Sequence, residues 1–162
     1  MKAVVLILAM AVGVLAQDSP LPDTVKSAKT VFLQNETGDK WVPWSAEQVL
    51  RGSRLHAVTT HEAADLVFHF TLVTEPTQPL SVTSNATVPI RNTFFLEVVN
   101  NKGVTVWKQS EDFHDPDTQT PFLKPMGTSA KARADFLLAH PPAALVDRFL
   151  KQLSTKQSTP VR

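Results

Sequence analysis

The chain has 162 residues, no cysteine, and 16 Lys and Arg residues against 15 Asp and Glu residues. Without cysteine it can form no disulfide bond, no thiolate metal site and no cysteine nucleophile. The nearly balanced charge lacks the basic excess of a nucleic-acid binder or of a polybasic membrane patch, so we expect neither partner.

Residues 1–16 have the pattern of an export signal. Met1-Lys2 is followed by an uncharged apolar run that ends at Ala16, and this run is shorter than the roughly 20 residues of a transmembrane helix. Small residues close the run, which predicts cleavage between Ala16 and Gln17. We therefore expect a periplasmic or secreted protein without stable membrane insertion and, since cysteine is absent, without a lipoprotein anchor.

The next segments predict a leader and a first strand. Residues 17–28 are polar, contain two prolines and predict a flexible leader. Thr30–Gln34 is rich in β-forming residues and predicts a strand, which the turn formers of Asn35–Asp39 end.

A short helix is predicted to follow. Ser45 and Gln48 have the spacing of a capping box, in which each side chain satisfies a free backbone N–H, and Gly52 is a helix terminator. Trp41 and Trp44 precede this helix, and we expect them to pack the preceding loop on the core.

Alternating hydrophobicity predicts two further strands and a long connection. Leu55–Thr59 predicts a short strand, and Asp65–Thr74 gives the strongest strand pattern in the chain. Residues 75–92 contain three prolines among Ser, Thr and Asn, which predicts a long loop or a ragged sheet edge.

A hairpin is the clearest turn signal. Phe94–Val99 and Val104–Lys108 alternate as strands, and Asn100–Gly103 between them supplies the residues that a tight turn needs.

Two helices are predicted near the C-terminus. Ser129–Leu138 is rich in Ala and charged residues, and Pro141-Pro142 breaks it, with Pro142 suited to the first turn of a second helix. An apolar stripe at helical spacing marks that second helix: Leu145, Val146, Phe149, Leu150 and Leu153. The polar residues 155–162 predict a disordered tail.

These elements predict one α/β (α+β) domain over residues 29–154. We expect a two-layer sandwich with a mixed, mainly antiparallel five-stranded sheet, covered by helices on one face. Residues 36–53 are long enough to connect two parallel strands.

Three stretches resemble small bacterial envelope domains that are similar in plan to the N-terminal domain of TolB and to CsgG-like proteins. They are Lys29–Gly38, Ala64–Phe68 and Gly103–Trp107. The resemblance implies an envelope location and a binding or scaffolding role, and it brings no catalytic residues with it. Fold analogy alone does not fix a function.

One group of candidate site residues surrounds the strongest strand: His56, His61, Glu62, Asp65 and His69. The spacing of His61 and Asp65 would suit a metal pair on a helix, but the strand pattern begins at Asp65. We therefore expect Asp65 to accept backbone N–H bonds at the strand entrance.

A second group of candidates lies in a Pro-flanked loop: Asp112, His114, Asp115 and Asp117. These are weak candidates for a cation site, because their spacing is irregular and the sharp Gly turn of a calcium loop is missing. Asp115–Thr118 fits a type I turn with Pro at its second position, which explains the residues without a ligand. We expect no metal and no cofactor.

No catalytic motif is present: the chain has no Gly-x-Ser-x-Gly elbow, no phosphate-binding Gly-rich loop, no His-Glu-x-x-His and no dinucleotide fingerprint. The leading interpretation is a non-enzymatic envelope protein that binds or assembles with another envelope protein. The alternatives are a secreted ligand- or cation-binding protein that uses residues 111–118, and a small hydrolase.

Overall fold

The computed structural model describes residues 21–76, 90–113 and 125–155. Its helices are α1 (Asp23–Lys26), α2 (Trp41–Leu50), α3 (Ala130–Ala139) and α4 (Pro141–Ser154), with a 3-10 turn at His61–Ala63. Its strands are β1 (Thr30–Asn35), β2 (His56–Val58), β3 (Leu66–Pro76), β4 (Ile90–Asn100) and β5 (Thr105–Phe113).

The five strands form one mixed sheet in the order β2-β1-β3-β4-β5. β1 is parallel to both β2 and β3, whereas β3–β4 and β4–β5 are antiparallel. α2 lies in the connection between the parallel strands β1 and β2, as a crossover requires. The prediction of an α/β fold with a mixed five-stranded sheet is confirmed, and the structure shows that the sheet is not closed into a barrel.

The core lies between one face of the sheet and the helices. Alternate residues of β3 and β4 are buried there: Leu66, Phe68, Phe70, Phe94, Leu96 and Val98. α4 contributes Phe149, whose ring packs edge-on against Phe68 at a centroid distance of 5.2 Å and against Trp107 at 5.4 Å. The predicted apolar stripe of α4 is therefore the helical side of the core.

The predicted hairpin is present between β4 and β5. Gly103 has a φ of +75°, which favours glycine, and its N–H donates to the carbonyl of Asn100 at 2.9 Å. The Asn100 side chain also accepts the backbone N–H of Lys102 at 2.9 Å and of Val104 at 3.0 Å. β5 continues to Phe113, five residues beyond the predicted strand end at Lys108.

The two C-terminal helices also follow the sequence pattern. Ser129 caps α3, since its hydroxyl accepts the N–H of Ala132 at 3.1 Å. Pro141 and Pro142 form the first turn of α4, where a missing N–H costs nothing. Within the described residues, no helix has the length and apolar character needed to cross a bilayer.

The predicted capping box at Ser45 and Gln48 is wrong. α2 already begins at Trp41, where Asp39 Oδ1 accepts the Trp41 N–H at 2.9 Å. Ser45 is a buried residue inside the helix, and its hydroxyl donates to the carbonyl of Val42 at 2.9 Å. Asp39 supplies the acceptor earlier in the chain, so the helix starts there.

The predicted flexible leader over residues 17–28 also needs correction. The part that the structure describes contains α1 and buries Leu21, Val25 and Ala28 in the core. Leu21 lies just before α1 and Val25 lies within it, and both belong to the core cluster. The packed domain therefore includes residues before 29.

The prediction for residues 75–92 is wrong at both ends. β3 runs to Pro76 and β4 starts at Ile90, and these two residues are paired in the sheet. Because β3 and β4 are inner strands, the described residues 75–76 and 90–92 do not lie on an edge strand, and the edges of the described sheet are β2 and β5. Residues 77–89 lie outside the described residues.

Replacing Val25 with Ala tests whether α1 belongs to the folded domain. Val25 is 0% exposed, so Val25→Ala should leave a cavity and lower the free energy of unfolding by about 2 kcal/mol. Val104→Ala is the matched control, because Val104 is 55% exposed and its truncation should change stability by less than about 0.5 kcal/mol. Chemical denaturation measures both. Equal, small effects would contradict the packing of α1.

Candidate functional site

The sheet has a second face, opposite the helices, which we call the uncovered face. It carries alternate residues of four strands: Phe32, Gln34, Val67, His69, Thr71, Val73, Thr93, Phe95, Glu97, Val99, Thr105, Lys108, Ser110 and Asp112. Within the described residues, all four helices contribute their buried residues to the core cluster on the other side. Within the described residues, the part of this face over β4 and β5 is open to another molecule, whereas Val67 is only 5% exposed and the His61 ring packs against Phe32.

A row of polar side chains crosses the middle of the uncovered face. The register places Gln34 beside His69, His69 beside Glu97, and Glu97 beside Lys108. Glu36, just after β1, joins this row: its Oε1 accepts Gln34 Nε2 at 2.7 Å, and its Oε2 lies 3.0 Å from His69 Nε2. Lys108 Nζ lies 3.9 Å from Glu97 Oε2.

The charge of Glu36 depends on this row. The His69 side chain, and then the Gln34 amide, lowers the pKa of the Glu36 carboxyl below its usual value. His69 Nε2 is buried 3.0 Å from Glu36 Oε2, and the two side chains form an ion pair when the imidazole is protonated. The row thus presents an anionic carboxylate beside an imidazole.

Apolar side chains flank the polar row on both sides. On one side, Phe32, Val67 and Val99 are neighbours across three strands. On the other side, the half-buried ring of Phe95 lies between Thr71 and Ser110. Apolar side chains mixed with polar groups are typical of non-obligate protein interfaces. The uncovered face therefore combines apolar and polar side chains, as a protein interface can.

β5 forms the long edge of the same sheet. Eight of its nine residues pair with β4 on one side, Val106 being passed over at a register shift, and no described strand pairs with its other side. Lys108 and Ser110 of β5 lie on the uncovered face, while Glu111 points to the other face and forms an ion pair with Arg148 of α4. An unpaired edge strand can accept a strand from a partner.

The structure places only part of the predicted cation loop. Asp112 is a residue of β5, where its Oδ1 accepts the hydroxyl of Thr93 at 2.8 Å and its Oδ2 lies 4.0 Å from Arg91 Nε. Its carboxylate is therefore used within the sheet. His114, Asp115 and Asp117 lie outside the described residues, so the cation hypothesis stays a prediction.

Asp65 is placed as the sequence predicts. Its Oδ2 accepts the backbone N–H of Lys29 at 2.8 Å and of Thr30 at 3.0 Å. In return, the Asp65 N–H donates to the Thr30 hydroxyl at 2.9 Å. The N–H groups of Lys29 and then Thr30 lower the pKa of the Asp65 carboxyl. Asp65 therefore fixes the start of β1 to the start of β3.

The histidines of the predicted metal group have separate roles. The His61 ring packs edge-on against Phe32 at 6.1 Å, His69 belongs to the polar row, and His56 is an exposed residue of β2. In residues 21–76, 90–113 and 125–155, no three His, Asp or Glu side chains come together as metal ligands would. Trp44 packs on the core through Phe136 and His140, as expected, although from within α2.

The polar row is not predicted by the sequence pattern. Its members were visible as polar positions of alternating strands, but their meeting depends on the parallel pairing of β1 with β3. Glu97 in an apolar run and Gln34 at the end of another are the signals that could have pointed to it.

Comparisons with known proteins give only weak likenesses. No known family matches the chain, and no curated protein matches it. Among solved structures, it is similar to a PelC dodecamer from Paraburkholderia phytofirmans, with 11% identity, 82% of this chain and 90% of that chain covered, and a TM-score of 0.40. It is also similar to the rare lipoprotein B from Shewanella oneidensis, with 15% identity, 77% of this chain and 93% of that chain covered, and a TM-score of 0.36. For the uncharacterized lipoprotein B from Nitrosomonas europaea the identity is 13%, 85% of this chain and 91% of that chain are covered, and the TM-score is 0.39.

Bacterial lipoproteins are thus among the solved structures that the chain is similar to. The expected similarity to TolB and CsgG-like proteins is not shown by these comparisons. At these TM-scores the likenesses carry no argument for a shared function.

Asp65→Asn tests the hydrogen bonds by which Asp65 joins the start of β1 to the start of β3. At neutral pH the substitution should lower the free energy of unfolding by about 1 kcal/mol, since it replaces charge-assisted hydrogen bonds with neutral ones. The pKa of the Asp65 carboxyl is lower in the folded state than in the unfolded state, so the ionised carboxylate stabilises the fold above the unfolded-state pKa of about 3.9. This stabilisation is lost as the pH falls through the folded-state pKa.

Chemical denaturation at neutral pH and below about pH 4 measures the difference between Asp65→Asn and wild type. The difference should be present at neutral pH and shrink in acid. Asp135→Asn, on the exposed Lys131–Asp135 pair of α3, is the control and should change stability by less than about 0.5 kcal/mol. A difference that is independent of pH would contradict the role given to the charge.

Proposed function

We propose that this chain is an exported protein-interaction module that binds a partner in the cell envelope through the uncovered face and the adjoining edge of β5. The observation that carries this proposal is the one-sided sheet. One face is closed by four helices, and the other presents the polar row between half-buried Phe32 and Phe95.

The mixed character of the uncovered face supports a protein partner. A surface of Phe and Val around charged groups can bury apolar area, while the polar row supplies hydrogen bonds that fix the orientation. Glu97 and Lys108 lie close to the outer strand and can pair with charges of a partner. Rings such as Phe95 are the residue type that anchors interfaces.

The edge of β5 supports the same assignment. A partner strand added there would extend the sheet and continue the uncovered face without a gap. Lys108, Glu111 and Asp112 reduce non-selective pairing along this edge, since charged residues on edge strands oppose aggregation. The proposed partner therefore has an extended segment that pairs with β5 and side chains that rest on the uncovered face.

The envelope location rests on the leader. Residues 1–16 have a positive start, a short apolar run and small residues before Gln17. Export without cysteine also requires that the core alone holds the domain, and the continuous cluster from Leu21 to Leu153 provides that core.

Site-specific photocrosslinking in cells that produce the protein tests this function. Benzoylphenylalanine replaces Phe95 or Ser110 on the uncovered face, and the adducts are identified by mass spectrometry. We expect a discrete protein adduct from both positions, and we expect the mature chain in that adduct to begin at Gln17. Once the partner is identified, Phe95→Lys should weaken its binding at least about tenfold, as loss of an aromatic anchor does.

Leu138 on α3 provides the matched control, because its side chain is 84% exposed but lies on the helical layer. The same photoreactive residue at position 138 should give no such adduct. Identical adducts from position 138, or no adduct from either position on the uncovered face, would contradict the proposal.

A further inference from the structure

A cleft of about 400 Å³ lies on the helical layer, away from the uncovered face. It lies where the C-terminal parts of α2 and α4 meet the residues that follow α2, with Arg133 of α3 at its side. Its apolar wall is formed by Val49, Leu150 and Leu153. Three cationic side chains also line it, Arg54, Arg133 and Lys151, together with one carboxylate, Asp147.

The Asp147 carboxylate organises two of these cations. It is only 3% exposed, and it accepts Arg133 Nη2 at 2.5 Å and Lys151 Nζ at 2.8 Å. Burial alone would raise the pKa of Asp147, but the hydrogen bonds from Lys151 and Arg133 outweigh it and lower the pKa below the usual value. The carboxylate is therefore charged at neutral pH and holds both cations at the wall of the cleft.

The charges of the cleft do not cancel. Three cations face one carboxylate, so the cleft has a surplus of positive charge. A guanidinium has several N–H donors and an ammonium has three, whereas Arg133 and Lys151 each use one bond to Asp147. Arg54 donates to the carbonyl of Lys26 and has further N–H groups as well. Each cation can therefore donate to a ligand without leaving its partner.

The helix ends beside the cleft do not abolish this surplus. Helix C-termini carry partial negative charge, which would oppose an anion. Here three of the last four carbonyls of α2 accept the N–H groups of Arg51, Gly52 and Ser53, and two of the last four carbonyls of α4, those of Lys151 and Gln152, accept the N–H of Thr155. Capped carbonyls expose less negative charge to the cleft than free ones.

We propose that this cleft binds a small organic anion that consists of a carboxylate or phosphate group on a short apolar chain. Arg54, Arg133 and Lys151 recognise the anionic group, since guanidinium and ammonium groups form charge-assisted hydrogen bonds with such oxygens. The apolar wall contacts the chain. The volume is within the range of small-molecule sites. This site is independent of the proposed partner surface.

Isothermal titration calorimetry on the mature protein tests the proposal, with hexyl phosphate, hexanoate, inorganic phosphate, hexanol and hexylamine as probes. Hexyl phosphate or hexanoate should bind saturably, and at least about tenfold more tightly than hexanol and hexylamine. Inorganic phosphate should bind more weakly than hexyl phosphate, since it lacks the apolar chain. No saturable binding of hexyl phosphate or hexanoate, or equal binding of hexylamine, would overturn the proposal.

Substitutions of cleft residues test whether the anionic probes bind in the cleft. Lys151→Gln and Arg54→Gln should each weaken the binding about three- to tenfold, since each removes one partly exposed charge-assisted donor. Both variants leave Asp147 paired with Arg133, and thermal unfolding confirms that they remain folded. Lys131→Gln is the matched control, because Lys131 is exposed on α3 and pairs with Asp135 away from the cleft. Equal weakening by Lys131→Gln, or unchanged binding in both cleft variants, would show that the anion does not bind here.

Discussion

The packing of α4 against one face of the sheet is the constraint on which the rest of the structure depends. Phe149 inserts between Phe68 and Trp107 and joins α4 to β3 and β5. α2 and α3 both pack against α4, so the helical layer is organised around it. A chain without cysteine has no covalent link to replace this contact, and burial of apolar area has to hold the layers together.

In the described residues the four α-helices close one face of the sheet, and on the other face only the 3-10 turn at His61–Ala63 packs against the strands, through the His61 and Phe32 rings. β-strands favour aromatic and β-branched residues, so the uncovered face also carries apolar side chains. Phe32, Phe95 and Val99 are among them, and each is half-buried. The polar row divides this apolar area, and its hydrogen-bonding groups can fix the orientation of a bound partner. The cationic cleft lies between helices, on the other layer of the domain. The two proposed sites therefore lie on different layers and can act separately.

Much of the fold can be predicted from the sequence, because periodicity is a local signal. The alternation of β3, the Asn100–Gly103 turn and the apolar stripe of α4 each predict the element that the structure contains. Local signals fail where two compete or where burial depends on distant residues. Ser45 has the spacing of a helix cap, but Asp39 accepts the N–H of Trp41 earlier in the chain, and Val25 becomes a core residue only when the sheet is present. The polar row and the Arg133–Asp147 pair depend on pairing and packing between distant segments, which single-sequence periodicity does not encode.

Hydroxyl-radical footprinting of the isolated mature protein tests the one-sided sheet most directly. Mass spectrometry of the digested protein compares the oxidation rates of Phe32 and Phe95 on the uncovered face with those of Phe68 and Phe149 in the core. A one-sided sheet predicts faster oxidation of Phe32 and Phe95, together with strong protection of Phe68 and Phe149, which are 0% exposed. Equal protection of all four rings would show that both faces are covered, which is incompatible with a one-sided sheet.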